Sequence, residues 1–75
     1  MDNLTSLLPG ESGIVARIIE GSFTCKLLSL GILPKVQVLM VRKAPLGDAF
    51  YIKLENHQLA IRKSEAETIF VEKLP

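Results

Sequence analysis

The chain has 75 residues, enough for a single domain spanning positions 1–75, and a domain of this size buries only about 60% of the surface that its unfolded chain exposes. Its one cysteine, Cys25, excludes an intrachain disulfide and points to a reducing cytosol. Nine Lys and Arg against eight Asp and Glu leave a formal net charge of +1, too balanced for the basic footprint of a dedicated nucleic-acid binder. Met1-Asp2-Asn3 is not the basic start of a signal peptide, and no apolar run approaches the roughly 20 residues of a membrane span. The expected location is therefore cytoplasmic, without direct membrane insertion. An apolar fraction of 48% is high for so small a domain, so part of the apolar surface is expected to face a partner.

In chain order, a lead containing Leu4, Leu7 and Leu8 runs into a turn at Pro9-Gly10. The β-branched run Ile14–Ile19, closed by Gly21, predicts a first strand. From Ser22 the period changes, because Phe23, Leu27 and Leu30 fall at i, i+4 and i+7 with Leu28 widening the stripe. That predicts a helix over Ser22–Leu30, with Ser22 as N-cap. Gly31 is placed to take the left-handed C′ conformation, Ile32 to pack back on the last turn, and Pro34 to prevent continuation.

Lys35–Lys43 reads as the longest strand, alternating at first and then apolar on both faces, so its middle is expected to be buried on both. A loop, Ala44-Pro45-Leu46-Gly47-Asp48, follows. Phe50, Ile52 and Leu54 alternate with Tyr51, Lys53 and Glu55, a strand with one wet face. Asn56-His57 suits a tight hairpin turn, and Leu59 and Ile61 mark the returning strand. Ser64-Glu65-Ala66-Glu67 predicts one helical turn capped by Ser64, and Ile69–Glu72 a fifth strand. The fold class is mainly β: a small, partly open, SH3-like barrel of five strands, with one short helix between strands one and two and a helical turn before the last strand.

No catalytic centre is visible. A nucleophile needs a base within reach and a group that orients the base, and the supply is Cys25 and His57. Cys25 reads as a structural residue and His57 as a solvated turn residue; the two could meet only if the helix reached the hairpin tip. The carboxylates of Asp48, Glu65, Glu67 and Glu72 have no ligand-like spacing and read as a solvated face. Pro9–Gly13 lacks the Lys and the following helix of a phosphate-binding loop. Arg42-Lys43 and Arg62-Lys63 would make one basic patch if their strands lay close, but few aromatic rings are available to stack on bases, so nucleic acid is not the expected partner. Two features exceed what a core needs: the apolar helix Phe23–Leu30, and Leu46 at a loop tip between Pro45 and Gly47. As a core element, the helix would form a lid over the open end of the barrel.

Three strings together resemble the FeoA family of small bacterial ferrous-iron transport proteins. They are Lys26-Leu27-Leu28-Ser29-Leu30-Gly31-Ile32 with Pro34, then Arg42-Lys43-Ala44-Pro45-Leu46-Gly47-Asp48, then Leu59-Ala60-Ile61-Arg62 through Glu65-Ala66 to Ile69-Phe70-Val71-Glu72. Leu4, Leu7, Pro9-Gly10 and Gly13 also match the family's start, so the resemblance covers nearly the whole chain. Lys35 stands where the family usually has Gly, and Ala49 where it commonly has Pro. The resemblance implies an SH3-like barrel and a non-enzymatic accessory or regulatory role, with no bound cofactor, beside a FeoB-type membrane GTPase that carries Fe²⁺ inward. The expected partner-binding residues are Lys26, Leu27, Leu28, Arg42 and Leu46: the helix and the 44–48 loop as a small apolar patch, with the cations, Lys43 among them, steering it to an acidic surface. A homodimer is a further expectation, and the alternative function is metal binding or iron sensing through His57, Cys25 or the carboxylates.

Overall fold

A computed structural model of the chain describes residues 2–45 and 47–75. Side-chain alternation builds its sheet. Val15 on β2 (Ser12–Ile18), Val38 and Met40 on β3 (Gln37–Lys43), Phe50 and Ile52 on β4 (Ala49–Lys53), and Ile61 on β5 (Gln58–Arg62) all point to one buried interior. β1 (Asp2–Asn3) and β6 (Ile69–Lys73) complete a six-stranded antiparallel sheet of order β1-β6-β2-β3-β4-β5. Register shifts between Val15 and Arg17 and between Met40 and Arg42 mark β-bulges, which increase the local twist and curl the sheet around its core. β1 and β5 remain as edges, so the barrel is partly open.

The open side is filled by short helical pieces. A 3₁₀ turn at Leu4–Ser6, helix α1 (Thr24–Ser29) and helix α2 (Lys63–Ala66) contribute the fully buried Leu4, Leu27 and Ala66. Phe23 and Leu30 pack against the same core. Helix α1 is thus the lid its apolar stripe implied. Its end is a Schellman motif: Gly31 has φ 93°, its N–H donates to the Leu28 carbonyl at 3.0 Å, and the Ile32 N–H donates to the Leu27 carbonyl at 3.1 Å.

The structure departs from the sequence expectations in identifiable places. β1 was not predicted; two residues cannot display a period, and its pairing with Val71 and Phe70 makes it a strand. β2 begins two residues before the β-branched run, and Ile19 falls outside it, 45% exposed. Helix α1 is shorter than predicted: the N-cap is Phe23, not Ser22, without a side-chain hydrogen bond, while the Thr24 hydroxyl accepts the Gly21 N–H at 2.8 Å. Leu39 and Val41 are half-buried, because no layer covers the outer face of β3. Residues 54–57 form a four-residue hairpin loop closed by the Leu54 N–H donating to the His57 carbonyl at 2.8 Å, in place of a left-handed turn at Asn56. Among the described residues the one non-glycine with positive φ is Lys35, at 75°, so β3 starts at Gln37 and not at Lys35. The Lys35 N–H donates to the Val15 carbonyl at 2.7 Å and ties this bend to β2.

Candidate partner-binding face

The chain's described ion pair joins the two helices. Glu65 is 2% exposed, and its Oε2 accepts from the Nζ of Lys26. Its Oε1 accepts the backbone N–H of Arg62, the N-cap of α2, at 2.8 Å. This is the carboxylate half of a capping box, which satisfies an N–H at the start of the helix. α2 therefore starts one residue before Ser64, and Ser64 is not its cap. Burial pushes the Glu65 carboxyl up, but the Lys26 hydrogen bond, the Arg62 N–H and the charges of both residues together hold it below its ordinary value. The expectation of a solvated face at Glu65 is corrected: the carboxylate is buried because α1 brings Lys26 over it.

The same helix carries the 44–48 loop. The Lys63 N–H donates to the Asp48 carbonyl at 2.7 Å, and the Ala44 N–H to the Ala49 carbonyl at 2.9 Å. Loop, α2 and α1 are thus joined in sequence at one end of the barrel.

The predicted partner-binding residues are distributed unevenly over the molecule. Leu27 is 0% exposed and belongs to the core; its place on a surface patch is corrected, because the α1 stripe that contains it faces the barrel interior. Leu28, one position on, is turned out and 40% exposed. Lys26 keeps a side chain 55% exposed but is engaged with Glu65. Arg42 is exposed, its guanidinium 5.0 Å from the Tyr51 ring centroid. Lys43 is turned the other way: its Nζ donates to the Thr5 carbonyl at 2.8 Å and lies 5.4 Å from the Phe50 ring. With Lys43 so engaged and β4 standing between β3 and β5, Arg42-Lys43 and Arg62-Lys63 do not form a single patch of four cations. Leu46 lies outside the described residues.

The hairpin loop does reach α1, but at the helix's C-terminal end: His57 Cε1 is 3.9 Å from the position a Cβ on Gly31 would take. Cys25, exposed, sits six residues earlier, about 9 Å along the helix axis. Among the described residues no group of three or more His, Cys, Asp or Glu could hold a metal ion, and no helix is long and apolar enough to cross a membrane.

A model of the FeoA domain matches residues 3–73. The chain belongs to the FeoA family. The family is associated with ferrous iron transport, and its barrel is SH3-like. Solved members superpose over nearly the whole chain. A FeoA described as an iron uptake regulatory protein is 30% identical, with 97% of this chain and 96% of that one covered and a TM-score of 0.85. A FeoA-like protein from Clostridium acetobutylicum is 31% identical, with 99% and 87% covered and a TM-score of 0.91. FeoA from Stenotrophomonas maltophilia, solved with zinc and proposed as an activating factor of bacterial ferrous iron transport, is 25% identical, with 96% and 91% covered and a TM-score of 0.81.

Proposed function

We propose that this protein is a non-catalytic cytoplasmic accessory module of ferrous iron uptake that binds the cytoplasmic part of a FeoB-type membrane GTPase through the face of α1 and the 44–48 loop. The observation that carries this reading is Leu28, a large apolar side chain left 40% exposed on a helix whose Leu27 neighbour is wholly consumed by the core. The exposed Arg42 supplies a cation for an acidic partner surface, whereas Lys26 is held by Glu65. Saturable binding of the purified protein to the cytoplasmic part of the transporter, measured with and without guanine nucleotide, is the expected result. Leu28→Asp and Arg42→Glu should each weaken it. Absence of binding in every nucleotide state would overturn the reading.

The zinc-bound Stenotrophomonas relative motivates a second reading, direct metal binding. Its test is anaerobic calorimetry with Fe²⁺, in which loss of a saturable heat on His57→Ala would support it and the absence of any such heat would remove it.

A further inference from the structure

The two edges of the sheet differ in kind. β1 is only Asp2–Asn3, and its end is engaged locally: the Asn3 carbonyl accepts the Ser6 hydroxyl at 2.8 Å, and the Asn3 side chain accepts the Thr5 N–H at 2.9 Å. β5 is a longer edge, Gln58–Arg62, with no proline, no bulge and no charge before Arg62, the devices that blunt an edge against pairing. Two hydrogen bonds to the neighbouring chain fix which way its backbone groups point. The Leu54 N–H donates to the His57 carbonyl at 2.8 Å, and the Lys63 N–H to the Asp48 carbonyl at 2.7 Å. In a register that pairs Ile52 with Leu59 and Phe50 with Ile61, these bonds make Leu59 and Ile61 the residues whose backbone faces β4. The N–H and C=O groups of Gln58, Ala60 and Arg62 face the free edge.

Arg62 is already engaged, because its N–H donates to Oε1 of Glu65 at 2.8 Å and its carbonyl, at the N-cap of α2, belongs to the first helical turn. That leaves Gln58 and Ala60. Both are exposed, and among the described residues no hydrogen bond engages the backbone groups that they turn outward. A longer foreign strand finds no further backbone partner here, since α2 takes the chain out of the strand on one side and the 54–57 loop does so on the other. A second copy of the chain matches this short template. In an antiparallel pairing with a two-fold axis at Leu59, Gln58 of each copy lies opposite Ala60 of the other and exchanges both backbone hydrogen bonds with it, so every free group is satisfied. A pairing centred on Ala60 instead sets Gln58 against Arg62, whose N–H is taken. With the axis at Leu59, the two Leu59 side chains meet where cross-strand side chains come closest, on the face where each is half-buried against its own core. On the outer face Gln58 meets Ala60 without charge. Lys53 of one copy and Arg62 of the other lie about 12 Å apart at Cα by strand spacing, beyond the screening length at physiological salt.

We propose that the β5 edge pairs with the same edge of a second copy, joining two barrels in one continuous sheet about a two-fold axis at Leu59. The contact is small, so the association is weak. It shares no residue with the α1 and 44–48 face, so its test stands apart from that of transporter binding. The full chain, labelled with ¹⁵N, is diluted from about 1 mM to about 10 μM, with sedimentation at the same concentrations. The expected result is a monomer–dimer equilibrium with concentration-dependent amide shifts centred on Gln58, Leu59 and Ala60. Ala60→Pro removes an N–H from the free edge without touching the ladder to β4, a position where a strand tolerates proline, and should abolish the dimer while the melting temperature stays close to that of the parent. Two double variants at the same exposed positions decide the register even if proline disturbs the fold. Gln58→Glu with Ala60→Lys sets opposite charges against each other across the axis and should tighten the dimer roughly fivefold, whereas Gln58→Lys with Ala60→Lys sets like charges there and should leave a monomer. The proposal is overturned by a chain that stays monomeric at the highest concentration, by shifts centred on Leu28 and Arg42, or by equal association of the two double variants.

Discussion

Lys35 carries a cost that its neighbours do not. A side chain with a Cβ in the left-handed region sacrifices roughly 1–2 kcal/mol, and Lys35 stands there at φ 75°. Lys35→Gly relieves that strain, keeps the N–H that donates to Val15, and gives back about 0.5–1 kcal/mol through the greater freedom of glycine in the unfolded chain. A net gain of up to about 1.5 kcal/mol is expected, seen as a higher urea midpoint at unchanged slope; a lower midpoint would refute the strain argument. Lys35 was legible in the sequence as a departure from the family's usual Gly. Its conformation was not, because Lys before an alternating apolar run reads equally well as the first residue of a strand.

At the scale of elements, the Lys26–Glu65 pair latches α1 to α2. Removing one partner of a buried pair is costly, but Lys26 is half in water, so Lys26→Ala is expected to cost about 1–2 kcal/mol, below the range for fully buried pairs. The pH dependence follows from the sign of the Glu65 shift. Its folded-state pKa is lowered, so its contribution is complete above the unfolded value of about 4.3 and is lost as pH falls through the lower folded value. Denaturation curves of the protein and of Glu65→Gln, collected between neutral pH and about pH 3, should differ most at neutrality and converge on acidification. A difference that stays constant down to pH 3 would remove Glu65 as the titrating group. The sequence placed Glu65 in a short helix after β5, but it could not pair that carboxylate with Lys26, 39 residues away. Only the packing of α1 and α2 on the same open side of the sheet brings them together.

For the whole molecule, α1 is a plug before it is a surface. Its Leu27 is buried with Leu4, Ile32, Ile61, Ala66 and Ile69. Leu27→Ala should cost about 2–5 kcal/mol, a large share of the stability of a 75-residue domain. Leu28→Asp, on the exposed side, should change stability by no more than about 0.5 kcal/mol while weakening transporter binding. Thermal melts beside a binding titration separate the two, and a comparable loss of stability in both variants would contradict the division of the helix into core and outer faces. What the sequence by itself determined is the mainly β class, the order of β2 to β6, the inward set Phe50, Ile52, Leu54 and Ile61, and the Schellman end at Gly31, because alternation, helical period and glycine chemistry act locally. The tertiary structure decided that Asp2–Asn3 is a strand, that Leu27 and Glu65 are interior, and that Lys43 turns back to Thr5. Each of these depends on residues distant in the chain meeting across a curled sheet, and a one-dimensional pattern does not encode which face of an element a second element will cover.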